Sequence, residues 1–194
     1  MEQPKTKSPF HIGMRNLKTA FAATLCALLY FPLDRNPTFA CIGAIFGMGS
    51  DMDNSKLNGG NRLFGTVIGG LVGMAVFQVY IWIYPDGEMR PLMLLFLFIG
   101  VILLVLMSTL FQWPGAIPPG GVVLCIILFN TPVDTFISYS LNRVFDTAIG
   151  VIIGIATNYF LPRERVIRWK HAVLPKRDPN KNKDEINDNN QKED

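Results

Sequence analysis

The sequence predicts an all-α, polytopic membrane protein of about six transmembrane helices, arranged as two three-helix repeats of inverted topology. Charge is displaced from the body of the chain: 16 of the 33 Asp, Glu, Lys and Arg residues fall between Arg163 and Asp194. From Pro91 to Val133 there is no Asp, Glu, Lys, Arg or His at all, a run long enough for two spans when one needs about 20 mostly apolar residues. A polar-and-glycine pattern at the start of the third apolar stretch recurs at the start of the sixth.

Taken in order, the apolar stretches between charges place spans near 16–33, 36–50, 61–84, 91–112, 116–132 and 137–161. Lys5, Lys7, Arg15 and Lys18 precede or open the first, as in a signal peptide, but no small-x-small cleavage site follows Leu33 and further spans come at once. Thr38-Phe39-Ala40-Cys41 lacks the Leu of a lipoprotein signal. Asp34-Arg35-Asn36-Pro37 is a tight turn joining the first two spans as a hairpin. The second and fifth spans are short, and the second is expected to cross only in part. Tyr84-Pro85-Asp86-Gly87 marks a turn after the third span. Residues 112–121, Gln-Trp-Pro-Gly-Ala-Ile-Pro-Pro-Gly-Gly, break the uncharged run, with Trp113 suited to a membrane interface.

The chain therefore divides into a cytoplasmic N-terminal segment (1–15), a six-span membrane domain (16–161) and a charged, disordered cytoplasmic tail (162–194). Positive charge is retained inside. An inward N-terminus collects most Lys and Arg on the inner side and leaves only Arg35, Arg90 and Arg143 outside, so both termini are expected in the cytoplasm. Arg163–Lys170 suits the anionic inner leaflet, and beyond Pro175 the composition is too polar for a core.

The net charge of +3 is spread over span ends and a mixed tail, which excludes a nucleic-acid stripe. Cys26, Cys41 and Cys125 are odd in number and lack paired spacing, and His11 and His171 have no ligand neighbours, so no metal, cofactor or disulfide framework is expected. No catalytic grouping stands out, and the chain does not read as an enzyme. Gly60–Thr66 lacks the Lys of a phosphate loop. Asp51–Ser55 starts like a calcium loop, but Lys56 replaces the turn glycine, so an exposed acidic loop is expected.

The repeat is the most informative feature. Asn61-Arg-Leu-Phe-Gly-Thr-Val-Ile-Gly-Gly-Leu-Val-Gly73 and Asn142-Arg-Val-Phe-Asp-Thr-Ala-Ile-Gly-Val-Ile-Ile-Gly154 share N-R-x-F-x-T-x-I-G-x-x-x-G, 81 positions apart. Membrane composition supplies Ile and Gly, but not Asn, Arg and Thr in register. Each copy closes a set of three spans, and an odd number of spans inverts the second set, the arrangement typical of secondary transporters with a midplane site. Arg62 and Arg143 are expected at helix N-termini, where the dipole adds partial positive charge. A guanidinium there fits a carboxylate, and Thr66 and Thr147 lie one turn deeper on the same face. The other role open to such an arginine is snorkelling to headgroups and fixing topology. Asp146, three residues after Arg143, offers it an intrahelical partner and is the nearest candidate for a coupling acid; Gly65 takes that place after Arg62. Gly43 with Gly47, the run Gly65, Gly69 and Gly73, and Gly150 with Gly154 form small faces for close helix packing.

At Ser55–Gly69, in the opening Met14-Arg-Asn-Leu-Lys-Thr-Ala20, and at Asn142–Gly150 with Asn158, the chain resembles the bacterial FUSC and aromatic acid exporter families, over roughly residues 12–162. The resemblance implies a bacterial plasma-membrane protein that exports aromatic carboxylates, distantly akin to plant malate channels. Many relatives carry a further cytoplasmic domain or two six-span halves; this chain has one half and a short tail, so a homo-oligomer in the lipid bilayer is expected. Three readings follow: an exporter of small organic anions, a passive anion channel through the same arginines, and a non-transporting scaffold that recruits partners by its tail. Deleting residues 176–194 is expected to leave anion flux in proteoliposomes unchanged; loss of partner recruitment with no flux in the intact chain supports the scaffold.

Overall fold

The computed structural model describes residues 13–161; the expectations for residues 1–12 and for the tail from Pro162 lie outside the described residues. These form six α-helices and no strand: α1 Met14–Tyr30, α2 Thr38–Gly47, α3 Met52–Ile83, α4 Leu92–Leu110, α5 Ile117–Asn130 and α6 Phe136–Phe160. Four stretches are long and apolar enough to cross a membrane: Met14–Leu33, α3, α4 and α6. With 10 and 14 residues, α2 and α5 rise only about 15 and 21 Å, short of a hydrocarbon core of about 30 Å.

Local chemistry sets the helix limits. A 3-10 turn at Phe31–Leu33 carries Pro32, Asp34 turns left-handed at φ 49°, and Asn36 Oδ1 accepts the Thr38 N–H at 3.0 Å to start α2. Asp51 caps α3 by accepting the Asn54 N–H at 2.8 Å; hydrogen bonds from the Asn54 backbone and side chain hold its carboxyl below the usual carboxylate range. Gly87, at φ 66°, closes the turn after α3, its N–H donating to Tyr84 O. Gln112 at φ 55° ends α4. Pro118 and Pro119 sit in the first turn of α5, where a missing N–H costs nothing.

Two expectations are corrected here. The third helix starts at Met52, and Asp51–Ser55 is its cap and first turn instead of an acidic loop. Arg62 therefore lies ten residues beyond the first residue of α3, and Arg143 seven beyond that of α6. Neither stands at a helix N-terminus, and the dipole, which acts within the first turn, does not reach them. Polar residues before Arg62 end the apolar run without ending the helix.

The long helices α3 and α6 form the central antiparallel pair: Ser55 meets Asn158 near one end, and Phe77 meets Phe136 near the other. Each is covered by the short helix from the other half of the chain, α2 on α6 and α5 on α3, while α1 packs on α2 and α6, and α4 on α3 and α5. Glycine permits both approaches. A methyl on Gly150 would meet the Ala40 backbone, one on Gly154 the Ala44 backbone, and one on Gly43 the Thr147 carbonyl. Across the molecule a methyl on Gly65 would meet Ala116 O and Pro119, and one on Gly69 the Gly120 backbone.

The two ends of the α3–α6 pair are fastened differently. At one, buried Lys18 of α1 donates to Asn158 Oδ1 at 3.1 Å, and Asn158 Nδ2 donates to Ser55 Oγ at 2.8 Å and to Asp51 O at 3.2 Å. At the other, Phe77 meets Phe136 edge to face at 5.4 Å beside Tyr80. Outward faces are apolar, as with Leu94, Phe98, Leu106 and Leu110 of α4 and Phe145 and Ile152 of α6. Polar buried joints and an apolar exterior suit lipid.

Adjacent glycines test the packing. Gly69 has no room for a methyl, whereas one on Gly70 meets nothing within 4 Å. Gly69→Ala is expected to destabilise by about 1–3 kcal/mol, as overpacking does, with Gly70→Ala neutral or slightly stabilising through helix propensity. Thermal unfolding of the purified protein in detergent reads both, and equal shifts would remove the packing explanation.

Candidate anion-binding site

Arg62 and Arg143 are buried side chains, 6% and 8% exposed. No carboxylate lies within 4.0 Å of either among the described residues. Arg62 Nε and Arg143 Nη1 are enclosed without any hydrogen-bond partner there. A buried ion is strongly penalised unless paired and hydrogen-bonded.

Each arginine lines its own cleft beside an aromatic ring. The Arg62 cleft, about 520 Å³, is bordered by Arg15, Phe46, Asn61, Pro119 and Val122. Its guanidinium carbon lies 5.4 Å from the Phe46 ring centroid, within cation–π range. The Arg143 cleft, about 250 Å³, is bordered by Arg35, Asn36, Phe39, Tyr139, Asn142 and Asp146. There the guanidinium packs against Phe39 and lies 4.1 Å from the Tyr139 centroid. The larger cleft falls within the range of small-molecule sites, about 300–1,000 Å³; the smaller falls below it.

The repeated motif is held in matching ways. Asn61 of α3 accepts from Trp113 Nε1 at 2.6 Å, just ahead of α5. Asn142 of α6 accepts from Arg35 Nη2 at 3.3 Å, just ahead of α2. In each half the motif's asparagine anchors the approach to the short helix covering that long helix. Trp113 also lies against Phe64, centroids 4.5 Å apart.

The threonines diverge. Thr66 Oγ1 donates to Arg62 O at 2.8 Å, a bond within its own helix, while the buried Thr147 hydroxyl has no partner. Asp146 pairs with Arg35 Nη2 at 3.1 Å and accepts from the Tyr30 hydroxyl at 2.7 Å, rather than with Arg143 on its own helix. Arg35, Tyr30, Phe46 and the Asn61–Trp113 pair are not among the site residues expected from sequence. The repeated Asn was the available signal for the last of these; Arg35 read as a topology charge because its partner lies 111 residues away.

From the opposition of Ser55 with Asn158 and Phe77 with Phe136, Arg62 and Arg143 lie about eight residues, or about 12 Å, apart along the helix axes. The two buried cations thus line separate clefts, each beside an aromatic ring.

A protein-family model described as aromatic acid exporter family member 1 matches residues 10–161. No curated protein and no solved structure matches the chain. With the match covering all six helices, the chain belongs to the aromatic acid exporter family, a family of membrane transporters.

Proposed function

We propose that this chain exports small aromatic carboxylates across the bacterial plasma membrane, taking them up at Arg62 and passing them to Arg143. The observation that carries this is the pair of buried guanidinium groups with unpartnered nitrogens, each in a cleft beside an aromatic ring. The carboxylate would take the guanidinium fork, and the ring would lie against Phe46, Ile45 and Val122 in the larger cleft.

Two inverted three-helix units, α1–α3 and α4–α6, fit the arrangement. The swapped cover of α2 on α6 and α5 on α3, and the matched asparagine anchors, support this reading. In this reading α2 and α5, with the residues beside them, make the second and fifth crossings. Both chain ends then face the cytoplasm, the Arg62 cleft opens inward and the Arg143 cleft outward. The clefts share no lining residue, which favours a carrier that exposes them in turn over an open channel. A homo-oligomer gives the small bundle enclosure, and outflow down a concentration gradient needs no coupling group.

Efflux of preloaded benzoate from proteoliposomes tests the reading. Arg62→Gln keeps a polar side chain but loses the charge and fork, and is expected to reduce protein-dependent efflux at least tenfold with insertion unchanged. Undiminished efflux would take Arg62 out of the pathway.

A further inference from the structure

Gly65 and Asp146 occupy the same position in the two copies of the motif and create opposite surroundings for their arginines. Gly65 lies against Ala116 O and Pro119 and offers Arg62 no acid. Asp146 is 6% exposed and lines the Arg143 cleft. Its Oδ1 accepts from the Tyr30 hydroxyl at 2.7 Å and from Arg35 Nη2 at 3.1 Å. Two cations, Arg35 and Arg143, and two rings, Phe39 and Tyr139, therefore line one cavity. A carboxylate of the protein already holds one of those cations.

We propose that Asp146 is a built-in competitor for the transported anion: it occupies the Arg35 guanidinium that a cargo carboxylate would take, and makes the Arg143 cleft the weaker of the two anion sites. The proposal rests on the exporter reading. Cargo arriving at Arg143 meets like charge on Asp146 and gains Arg35 only by displacing it. As cargo leaves, Asp146 returns, so the half-exposed Arg35 exchanges one carboxylate for another. Release is thereby eased. The asymmetry sets half-saturation on each face of the membrane; it does not supply a driving force, and net flux still follows the gradient.

Equilibrium binding of radiolabelled benzoate to the full chain in phosphatidylcholine nanodiscs separates the possibilities. The wild type is expected to show one tight class of site, removed by Arg62→Gln, and one weak class. Asp146→Asn keeps the shape and an acceptor for Tyr30 and Arg35 while removing the charge. It should tighten the weak class about tenfold or more, the factor corresponding to one hydrogen bond between charged groups, and leave the tight class unmoved. Asp146→Gly, which places at this position the residue of the other repeat, should act likewise and serves if the first variant fails to fold. A weak class that is unchanged or weaker in variants retaining the Arg62 class overturns the proposal and leaves the exporter reading standing. Wild-type protein that binds no benzoate, or binds it regardless of Arg62→Gln, overturns both.

Discussion

Everything in this molecule depends on how closely α2 can lie on α6 and α5 on α3. In lipid, apolar side chains gain nothing by leaving solvent, so helices associate through short-range van der Waals contact and satisfied polar groups. Gly43, Gly150 and Gly154 on one side, and Gly65, Gly69 and Gly120 on the other, remove the atoms that would hold the backbones apart. Each short helix is thereby seated on the long helix of the opposite half, and the clefts form beside those seats. Asn61 and Asn142 then fix the segments leading into the short helices.

The energetic character of the site follows from two unequal terms. Two like charges on residues set about 12 Å apart along the helix axes repel by an energy on the order of 1 kcal/mol at an effective dielectric of 20. Removing each from water costs several kcal/mol, so desolvation dominates. The favourable returns, rings beside both guanidiniums, are of the order of 1–2 kcal/mol and leave part of that cost uncompensated. On the proposed reading an organic anion would supply the missing charge while its apolar body met apolar walls, at Arg62 alone and, near Arg143, in competition with Asp146.

The halves are similar where they position the arginines and different where they close the ends. Lys18, Asn158 and Ser55 join α1, α6 and α3 by hydrogen bonds at one end, while Phe77, Phe136 and Tyr80 make a dry aromatic joint at the other. Leaving a buried partner in the polar joint unpaired costs about 1–3 kcal/mol, whereas aromatic contacts separate without stranding a donor or acceptor. If the two clefts are exposed in turn, as proposed, the two ends of the α3–α6 pair would resist separation unequally.

Residue type and order alone determined the all-helical class, the turns at Asp34–Pro37 and Tyr84–Gly87, the shortness of α2 and α5, and the two motif copies; of the break expected over residues 112–121, only Gln112–Ala116 lies outside α-helix, because Ile117–Gly121 open α5. Each is a local property: apolar length, turn chemistry, or spacing along one helix. Helix limits were less legible, because Asp51, Asn54 and Asn58 are polar yet compatible with helix, and the apolar run begins well after α3 does. Tertiary structure alone decided that the arginines lie inside their helices without acidic partners, that Phe46 and Phe39 stand beside them, and that Asp146 joins Arg35 and Tyr30. Those are contacts between residues as much as 116 positions apart in the chain, made by the angles at which helices pack. No period or motif along the chain encodes such an angle.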